Sequence, residues 1–179
     1  MKTVVHDWPK YVEGDLFAEI KKAPRGHKIL IPHVVNNIGK WGAGFTGPLG
    51  EAFPEARKDY LLRTPLSPGR MNLGITDFVE SDAWPGVKVA NMFAQDGVGS
   101  GDRQIRYEAL TQCMIVVGIT ALAEGRAIHC PKFGAGLAGG NWDFIEELIR
   151  DCWIRRGIEV TVYWLPDMPK ARKKFHGAA

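Results

Sequence analysis

Two glycine-rich stretches give this sequence its clearest chemical signal. Each has three glycines in the spacing G-x-G-x-x-G, at Gly42, Gly44 and Gly47 and again at Gly134, Gly136 and Gly139. Glycine has no Cβ, so a ligand can approach its backbone closely, and a glycine-rich turn that opens a helix offers N–H groups to an anion. Both stretches follow a short apolar run and precede a helix-like one. The repetition predicts two loops that close on one pyrophosphate.

Polar side chains follow the apolar run that leads to the first stretch, at His33, Asn36 and Asn37. Ligands of α/β proteins bind at the carboxyl ends of strands. An asparagine amide suits ribose hydroxyls because it both donates and accepts hydrogen bonds, and a histidine can transfer a proton near neutral pH. The same residues also fit a buried histidine bonded to backbone and an asparagine pair that serves the turn. The sequence leaves both interpretations open.

The spacing around the first stretch argues against a dehydrogenase of the Rossmann type. Its glycines begin several residues after the strand, and the next predicted strand starts only near residue 71, too late for the usual acidic partner. Asp15 could accept a hydrogen bond from an adenine amino group, although a helix N-cap is the stronger interpretation. Trp41 and Trp142 flank the two stretches, and tryptophans at such places are more often core residues than ligand shelves.

The hydrophobic pattern predicts the scaffold that must position these stretches. We expect one or two short strands within residues 1–13, and further strands over 28–35, 71–79, 87–93, 126–130 and 158–165. Helices should cover residues 15–22, 49–62, 102–124 and 142–154, with a break near Pro54. Asp102 should cap the third helix, Leu122 should face the core, Gly125 should end that helix and Asn141 should cap the last. The element order is typical of a three-layer α/β domain.

The composition fits one soluble domain of 179 residues, with 45% hydrophobic and 24% charged residues. The net charge of +3 rests on a basic tail, residues 167–179, so the body is near neutral and shows no sign of a nucleic-acid-binding surface. Three cysteines without zinc-like spacing fit buried positions in a reduced compartment. No apolar signal sequence or spanning run is found. We expect a cytoplasmic monomer without metal, cofactor or membrane association.

Five motifs resemble those of macro domains. They are Gly14-Asp15-Leu16-Phe17, Asn36-Asn37, Trp41-Gly42-Ala43-Gly44-Phe45, Gly134-Ala135-Gly136-Leu137 and Val160-Thr161-Val162-Tyr163. The resemblance covers nearly the whole chain. Within the superfamily, the sequence is most similar to the small free-standing group that contains the fungal-type ADP-ribose 1''-phosphate phosphatase and the terminal ADP-ribose protein glycohydrolase. The resemblance implies an α/β/α fold with a mixed central sheet, formed by residues 1–166.

The resemblance also implies a role for each candidate residue. Asp15 would hold the adenine amino group, with the backbone of Leu16 beside it. The diphosphate would be wrapped by the two glycine stretches, which contribute Trp41, Gly42, Ala43, Gly44, Phe45, Gly134, Ala135, Gly136 and Leu137. Asn36, Asn37 and His33 would face the distal ribose, and we expect His33 and Asn37 to be the catalytic residues.

Two positions separate this chain from the glycohydrolase branch. That branch has an aspartate directly after its second glycine loop, where this chain has Ala138, and a catalytic lysine where this chain has Gln95. The pattern therefore favours the phosphatase, and we predict hydrolysis of ADP-ribose 1''-phosphate to ADP-ribose and phosphate. Removal of ADP-ribose from modified macromolecules and non-catalytic reading of ADP-ribose are the alternatives.

Overall fold

A computed structural model describes residues 7–64, 72–99 and 101–166, and its strands form one mixed sheet. The strands are β1 Lys10–Glu13, β2 Ile29–Asn36, β3 Thr76–Glu80, β4 Val87–Gln95, β5 Ala127–Pro131 and β6 Val160–Trp164. Their order across the sheet is β1-β6-β5-β2-β4-β3. β3 runs antiparallel to β4, whereas the other neighbours are parallel. The carboxyl ends of β1, β2, β4, β5 and β6 therefore lie at one edge.

Helices cover both faces of this sheet. They are α1 Leu16–Lys22, α2 Thr46–Ala52, α3 Pro54–Arg63, α4 Tyr107–Glu124 and α5 Trp142–Cys152. Successive residues of a strand point to opposite faces, so Ile29 and Ile31 of β2 pack with α1, α2 and α3, whereas Leu30 packs with α4 and α5. The predicted three-layer α/β fold is confirmed.

Several predicted helix boundaries are confirmed. Pro54 occupies the first turn of α3, and Phe53 separates that helix from α2, because a proline cannot continue the preceding helix. Gly125 ends α4 with φ of 63°, and the Asn141 side chain caps α5 by accepting from the N–H of Asp143 at 2.9 Å. All three cysteines are free and buried, as predicted.

The predicted start of α4 is wrong. Asp102 does not cap it, because the chain stays extended up to Arg106: Ile105 is fully buried and bridges Gln95, and the Arg106 N–H donates to the carbonyl of Ala94 at 2.8 Å. Arg106 is the N-cap instead. Leu122 does not face the core and is 49% exposed, since the buried face of α4 is formed by Ala109, Leu110, Cys113, Met114, Val117, Gly118 and Ala121.

The start predicted for the strand over 71–79 is wrong, because β3 begins only at Thr76. The N–H of Ile75 donates to the carbonyl of Asn72 at 3.1 Å and closes a turn before β3.

Some predictions fall outside the described residues. These are the first part of the strand predicted within residues 1–13 and the tail over 167–179. The domain boundary at residue 166 therefore stays a prediction. None of the helices in the described part of the chain combines the length and the hydropathy needed to cross a membrane.

Candidate functional site

The two glycine stretches meet at the carboxyl edge of the sheet. The first glycine loop, residues 41–45, follows β2, and the second glycine loop, residues 132–141, follows the neighbouring strand β5. A Cβ atom placed on Gly44 would lie 3.7 Å from Cδ1 of Leu137, a side chain that is otherwise exposed. The structure thus brings the repeated motifs face to face, and a pyrophosphate between them stays a prediction.

The two loops are built differently despite their shared spacing. In the first, Gly44 has φ of 62°, a conformation that favours glycine, and the N–H of Gly42 donates to Oγ1 of Thr46 at 3.0 Å. In the second, a Cβ on Gly134 would come within 3.1 Å of Ile145, so this glycine serves core packing. A Cβ on Gly136 would meet nothing within 4 Å. Gly136 is therefore the glycine of the second loop that leaves room for a ligand.

The remaining residues of the two motifs differ in exposure. Ala43 lies on the surface with Gly42 and Gly44, whereas Ala135, within the second loop, is buried. Ala138 is buried as well, and its carbonyl accepts from the N–H groups of Gln104 and Ile105. The amide of Gln95 donates to the carbonyl of Gly97 at 3.0 Å. Neither Ala138 nor Gln95 carries a charge, so neither can replace the acid or the amine of the glycohydrolase branch.

An aromatic layer lies beneath the first glycine loop and consists of Phe17, His33, Trp41, Phe45 and Tyr60. The ring of Phe17 stacks on that of Phe45 with centroids 5.3 Å apart. The His33 ring lies 5.6 Å from Trp41 in an edge-on arrangement and 6.0 Å from Phe45. Trp41 in turn packs on Tyr60 at 5.3 Å. The residues that flank the loop glycines are thus held from below by ring contacts.

His33 occupies the centre of this layer and is only 1% exposed. Its Nε2 atom lies 2.6 Å from Oδ1 of Asn91, the residue opposite it on β4. Burial lowers the pKa of His33 to about 4, so the ring is neutral at pH 7. A buried histidine was one of the two interpretations open from the sequence. Proton transfer by His33 stays a prediction.

Asn36 holds the turn that leads into the first glycine loop. Its Oδ1 atom accepts from the N–H groups of Ile38 and Lys40, both at 3.1 Å, and from the hydroxyl of Tyr60 at 2.7 Å. Its amide nitrogen donates to the carbonyl of Lys40. Asn36 therefore positions the loop through its side chain, and a contact from Asn36 to the distal ribose stays a prediction.

Asn37 belongs to a polar network with two residues that the sequence did not single out. Its amide donates to Oδ1 of Asp96 at 3.1 Å, and its Oδ1 accepts from the N–H of Gly97 at 2.8 Å. The other carboxylate oxygen of Asp96 accepts from Nε and Nη2 of Arg106, at 3.3 Å and 3.2 Å. The network thus places a partly exposed guanidinium near the end of β2. A glycine-rich segment directly after β4 was the available signal.

Asp15 caps α1, as the stronger interpretation predicted. Its carboxylate accepts from the N–H of Phe17 at 2.9 Å and is exposed. Leu16 is the first residue of α1 and is buried, and the N–H of Gly14 donates to the carbonyl of Trp164 at the end of β6. Asp15 therefore lies at the same sheet edge as the glycine loops. Its recognition of an adenine amino group stays a prediction.

Two histidines, the buried His33 and the partly buried His129, should make the protein less stable in mild acid. Burial lowers the pKa of both His33 and His129 from 6.5 to about 4. Unfolding lets both rings bind protons near pH 6.5, so the free energy of unfolding should fall as the pH drops from there towards 4. The slope is at most about 1.4 kcal/mol per pH unit for each histidine. Urea unfolding at about pH 7 and about pH 5 measures this loss. A double variant, His33→Gln with His129→Gln, should lose less, and an equal loss would contradict the assignment.

The described residues contain no cluster of three or more histidine, cysteine, aspartate or glutamate side chains that could hold a metal ion. The site offers backbone N–H groups, amides, the carboxylates of Asp15 and Asp96 and the guanidinium of Arg106. These groups can bind and orient a phosphorylated ligand.

Comparisons with known proteins show which proteins this chain is similar to. No protein-family model matches the chain. An ADP-ribose 1''-phosphate phosphatase of Candida albicans is 24% identical over 148 residues, which cover 79% of this chain and 92% of that protein. The structure of a macrodomain protein from Streptomyces coelicolor is 34% identical with a TM-score of 0.67, covering 87% of this chain and 97% of that one. A Bacteroides thetaiotaomicron protein of unknown function is 31% identical with a TM-score of 0.77, covering 90% and 99%.

The chain belongs to the macrodomain family, as its motifs predicted. The Streptomyces coelicolor protein carries this assignment, because its identity exceeds 30% and nearly its whole length is matched. The macrodomain of DarG from Thermus aquaticus, at 21% identity and a TM-score of 0.65, has the same fold.

Proposed function

We propose that this macrodomain binds ADP-ribose derivatives and hydrolyses ADP-ribose 1''-phosphate to ADP-ribose and phosphate. The observation that carries the proposal is that the network of Asn37, Asp96 and Arg106 lies at the same carboxyl edge of the sheet as the two facing glycine loops. The loops suit a diphosphate, and the network adds amide and guanidinium donors at that edge, which a further phosphate would need for neutralisation. Curated relatives named ADP-ribose 1''-phosphate phosphatase, at 24% and 26% identity, support this substrate.

In the proposed reaction, water attacks the terminal phosphorus and the bond from phosphorus to the ribose oxygen breaks. Arg106 and the amide of Asn37 would stabilise the charge that grows on the phosphoryl oxygens. Asp96 fixes both donors and would take a proton from the attacking water, while the departing ribose oxygen would take a proton from solvent and leave as a hydroxyl. Asp15 and Leu16 would hold the adenine end, so that the substrate lies along the carboxyl edge of the sheet.

ADP-ribose should bind with micromolar affinity, about −8 kcal/mol, and AMP should bind more weakly. The reason is that AMP lacks the second phosphate and the distal ribose, and therefore cannot engage both glycine loops. Calorimetric titration with each ligand measures the difference, and equal affinities would contradict the two-loop site.

A phosphate-release assay on ADP-ribose 1''-phosphate then tests turnover. Tight binding without phosphate release, and without action on ADP-ribosylated protein, would indicate that the protein is a non-catalytic ADP-ribose reader.

The monomeric state and the cytoplasmic location are also proposals. A near-neutral body and three buried, free cysteines support them. Size-exclusion chromatography with light scattering tests the first, since a mass close to 19.8 kDa is expected for a monomer.

A further inference from the structure

We infer that His33 and Asn91 form a buried latch that positions the first glycine loop, and that His33 acts through Trp41 and Phe45 instead of transferring a proton. The inference rests on the proposed function, because positioning matters only if this loop binds the ligand. Asn91 was not a candidate from the sequence. It is fully buried in β4, where it lies opposite His33 in the parallel pair of strands.

The hydrogen bonds of Asn91 fix the protonation of His33. The amide nitrogen of Asn91 donates to the carbonyl of Ala56 in α3 at 3.0 Å, so its Oδ1 atom is the one that faces Nε2 of His33. An amide oxygen can only accept, and Nε2 must therefore carry the proton. His33 is thus held as the neutral Nε2–H form, with its lone pair on Nδ1.

The Nδ1 atom is closed off from solvent. It is buried and makes no hydrogen bond to the described residues. Trp41 and Phe45 pack against the ring, at centroid distances of 5.6 Å and 6.0 Å. A general base must contact the water or the substrate group whose proton it takes, and this nitrogen contacts neither solvent nor another polar group of the described residues.

The ring contacts give His33 a positioning role. Trp41 directly precedes Gly42, and Phe45 directly follows Gly44, so the two residues that touch His33 bracket the first glycine loop. Phe45 continues to Phe17 at the adenine end, and Trp41 continues to Tyr60, which holds the Asn36 turn. His33 is the central member of this layer, and its hydrogen bond to Asn91 fixes the orientation of its ring. Losing that bond would loosen both ends of the loop.

Nitrogen NMR of the His33 imidazole in the unliganded protein tests whether Nε2 of His33 donates a proton to Asn91. We expect a single ring proton on Nε2 at neutral pH. A proton on Nδ1, or on both nitrogens, would overturn the latch. This measurement needs no ligand, so its outcome stands even if the protein fails to bind ADP-ribose and the proposed function is wrong.

Two variants test whether His33 acts by positioning the first glycine loop. In His33→Gln the amide nitrogen can replace Nε2 as the donor to Asn91 without supplying a base, whereas His33→Leu keeps the bulk and leaves Oδ1 of Asn91 unpaired. We expect His33→Gln to bind and turn over within about threefold of the wild type, and His33→Leu to lose affinity for ADP-ribose on the order of tenfold or more. His129→Leu, which removes the partly buried histidine of β5, should leave the affinity unchanged.

The affinity for ADP-ribose and the rate of phosphate release, measured in the same variants, distinguish a positioning role of His33 from proton transfer. A loss of turnover on the order of 10²-fold in His33→Gln with affinity intact would show that His33 transfers a proton, and would overturn the inference. Wild-type affinity in His33→Leu would overturn it as well, because the loop would then not depend on the latch. Thermal unfolding of each variant establishes that it is folded, and the NMR result on the wild type remains decisive if His33→Leu is not.

Discussion

The Gly136→Val variant is expected to lose ADP-ribose binding by about 100-fold or more while its thermal unfolding stays close to that of the wild type. A Cβ at this position meets nothing within 4 Å and Gly136 has no left-handed φ, so the fold has no reason to reject the side chain. The same open space is where the diphosphate must approach the second glycine loop. Calorimetry with ADP-ribose and a thermal melt measure both quantities. A variant that is folded and binds normally would remove Gly136 from the site.

A matched pair of glycines separates lost space from backbone strain. Gly44 and Gly125 have nearly equal φ, 62° and 63°, so valine is strained to a similar degree at either position. The cost is about 1–2 kcal/mol in each case. Gly44 lies in the first glycine loop, whereas Gly125 ends α4 at the start of β5. Gly44→Val should therefore lose binding, and Gly125→Val should lose stability alone.

The Arg106→Gln variant is expected to lower kcat/KM for ADP-ribose 1''-phosphate on the order of 10²-fold or more, as the loss of a charged transition-state donor does. The affinity for ADP-ribose should stay within about threefold, because that ligand lacks the terminal phosphate. The reason is the position of the guanidinium, which Asp96 ties to Asn37 at the end of β2. Initial rates of phosphate release and calorimetry with ADP-ribose measure the two effects.

Arg155 supplies the control for charge. It is exposed and pairs with Asp151 at 2.6 Å, just before the amino end of β6 and therefore at the sheet edge opposite the glycine loops. Arg155→Gln should leave the rate nearly unchanged. Equal losses in the two variants would point to a general electrostatic effect of positive charge, and an unaffected Arg106→Gln would remove Arg106 from the reaction.

Local patterns were sufficient to predict the fold. Alternation of apolar runs with helical periodicity located the strands and helices, and residues such as Pro54, Gly125 and Asn141 act on the backbone within one turn of their own position. The two glycine loops could be expected to face each other, because each follows one of two neighbouring parallel strands. The prediction that Asp102 caps α4 failed because a buried bridge between Gln95 and Ile105 keeps this segment extended. That bridge is a tertiary contact, and it overrides the local preference of aspartate for capping a helix.

The polar partners in the site were not predictable in the same way. Asn91 lies 58 residues from His33, and Asp96 lies 59 residues from Asn37. Both pairs depend on β2 and β4 being neighbours, and the pair of Asn37 and Asp96 also follows a register shift between Val35 and Asn36. Sequence spacing carries no trace of that register. The apolar pattern accordingly identified which side chains enter the site, but not which hydrogen bonds they make there.

Phosphorus NMR of ADP-ribose 1''-phosphate incubated with the protein tests the central claim most directly. We expect the signal of the 1''-phosphate to disappear and that of inorganic phosphate to grow in equal amount, while the two diphosphate signals of the remaining ADP-ribose persist. Asp96→Asn should slow this change, since it removes the carboxylate that the proposed reaction uses. An unchanged spectrum under conditions where ADP-ribose is bound, or cleavage of the diphosphate to AMP, would contradict the phosphatase account.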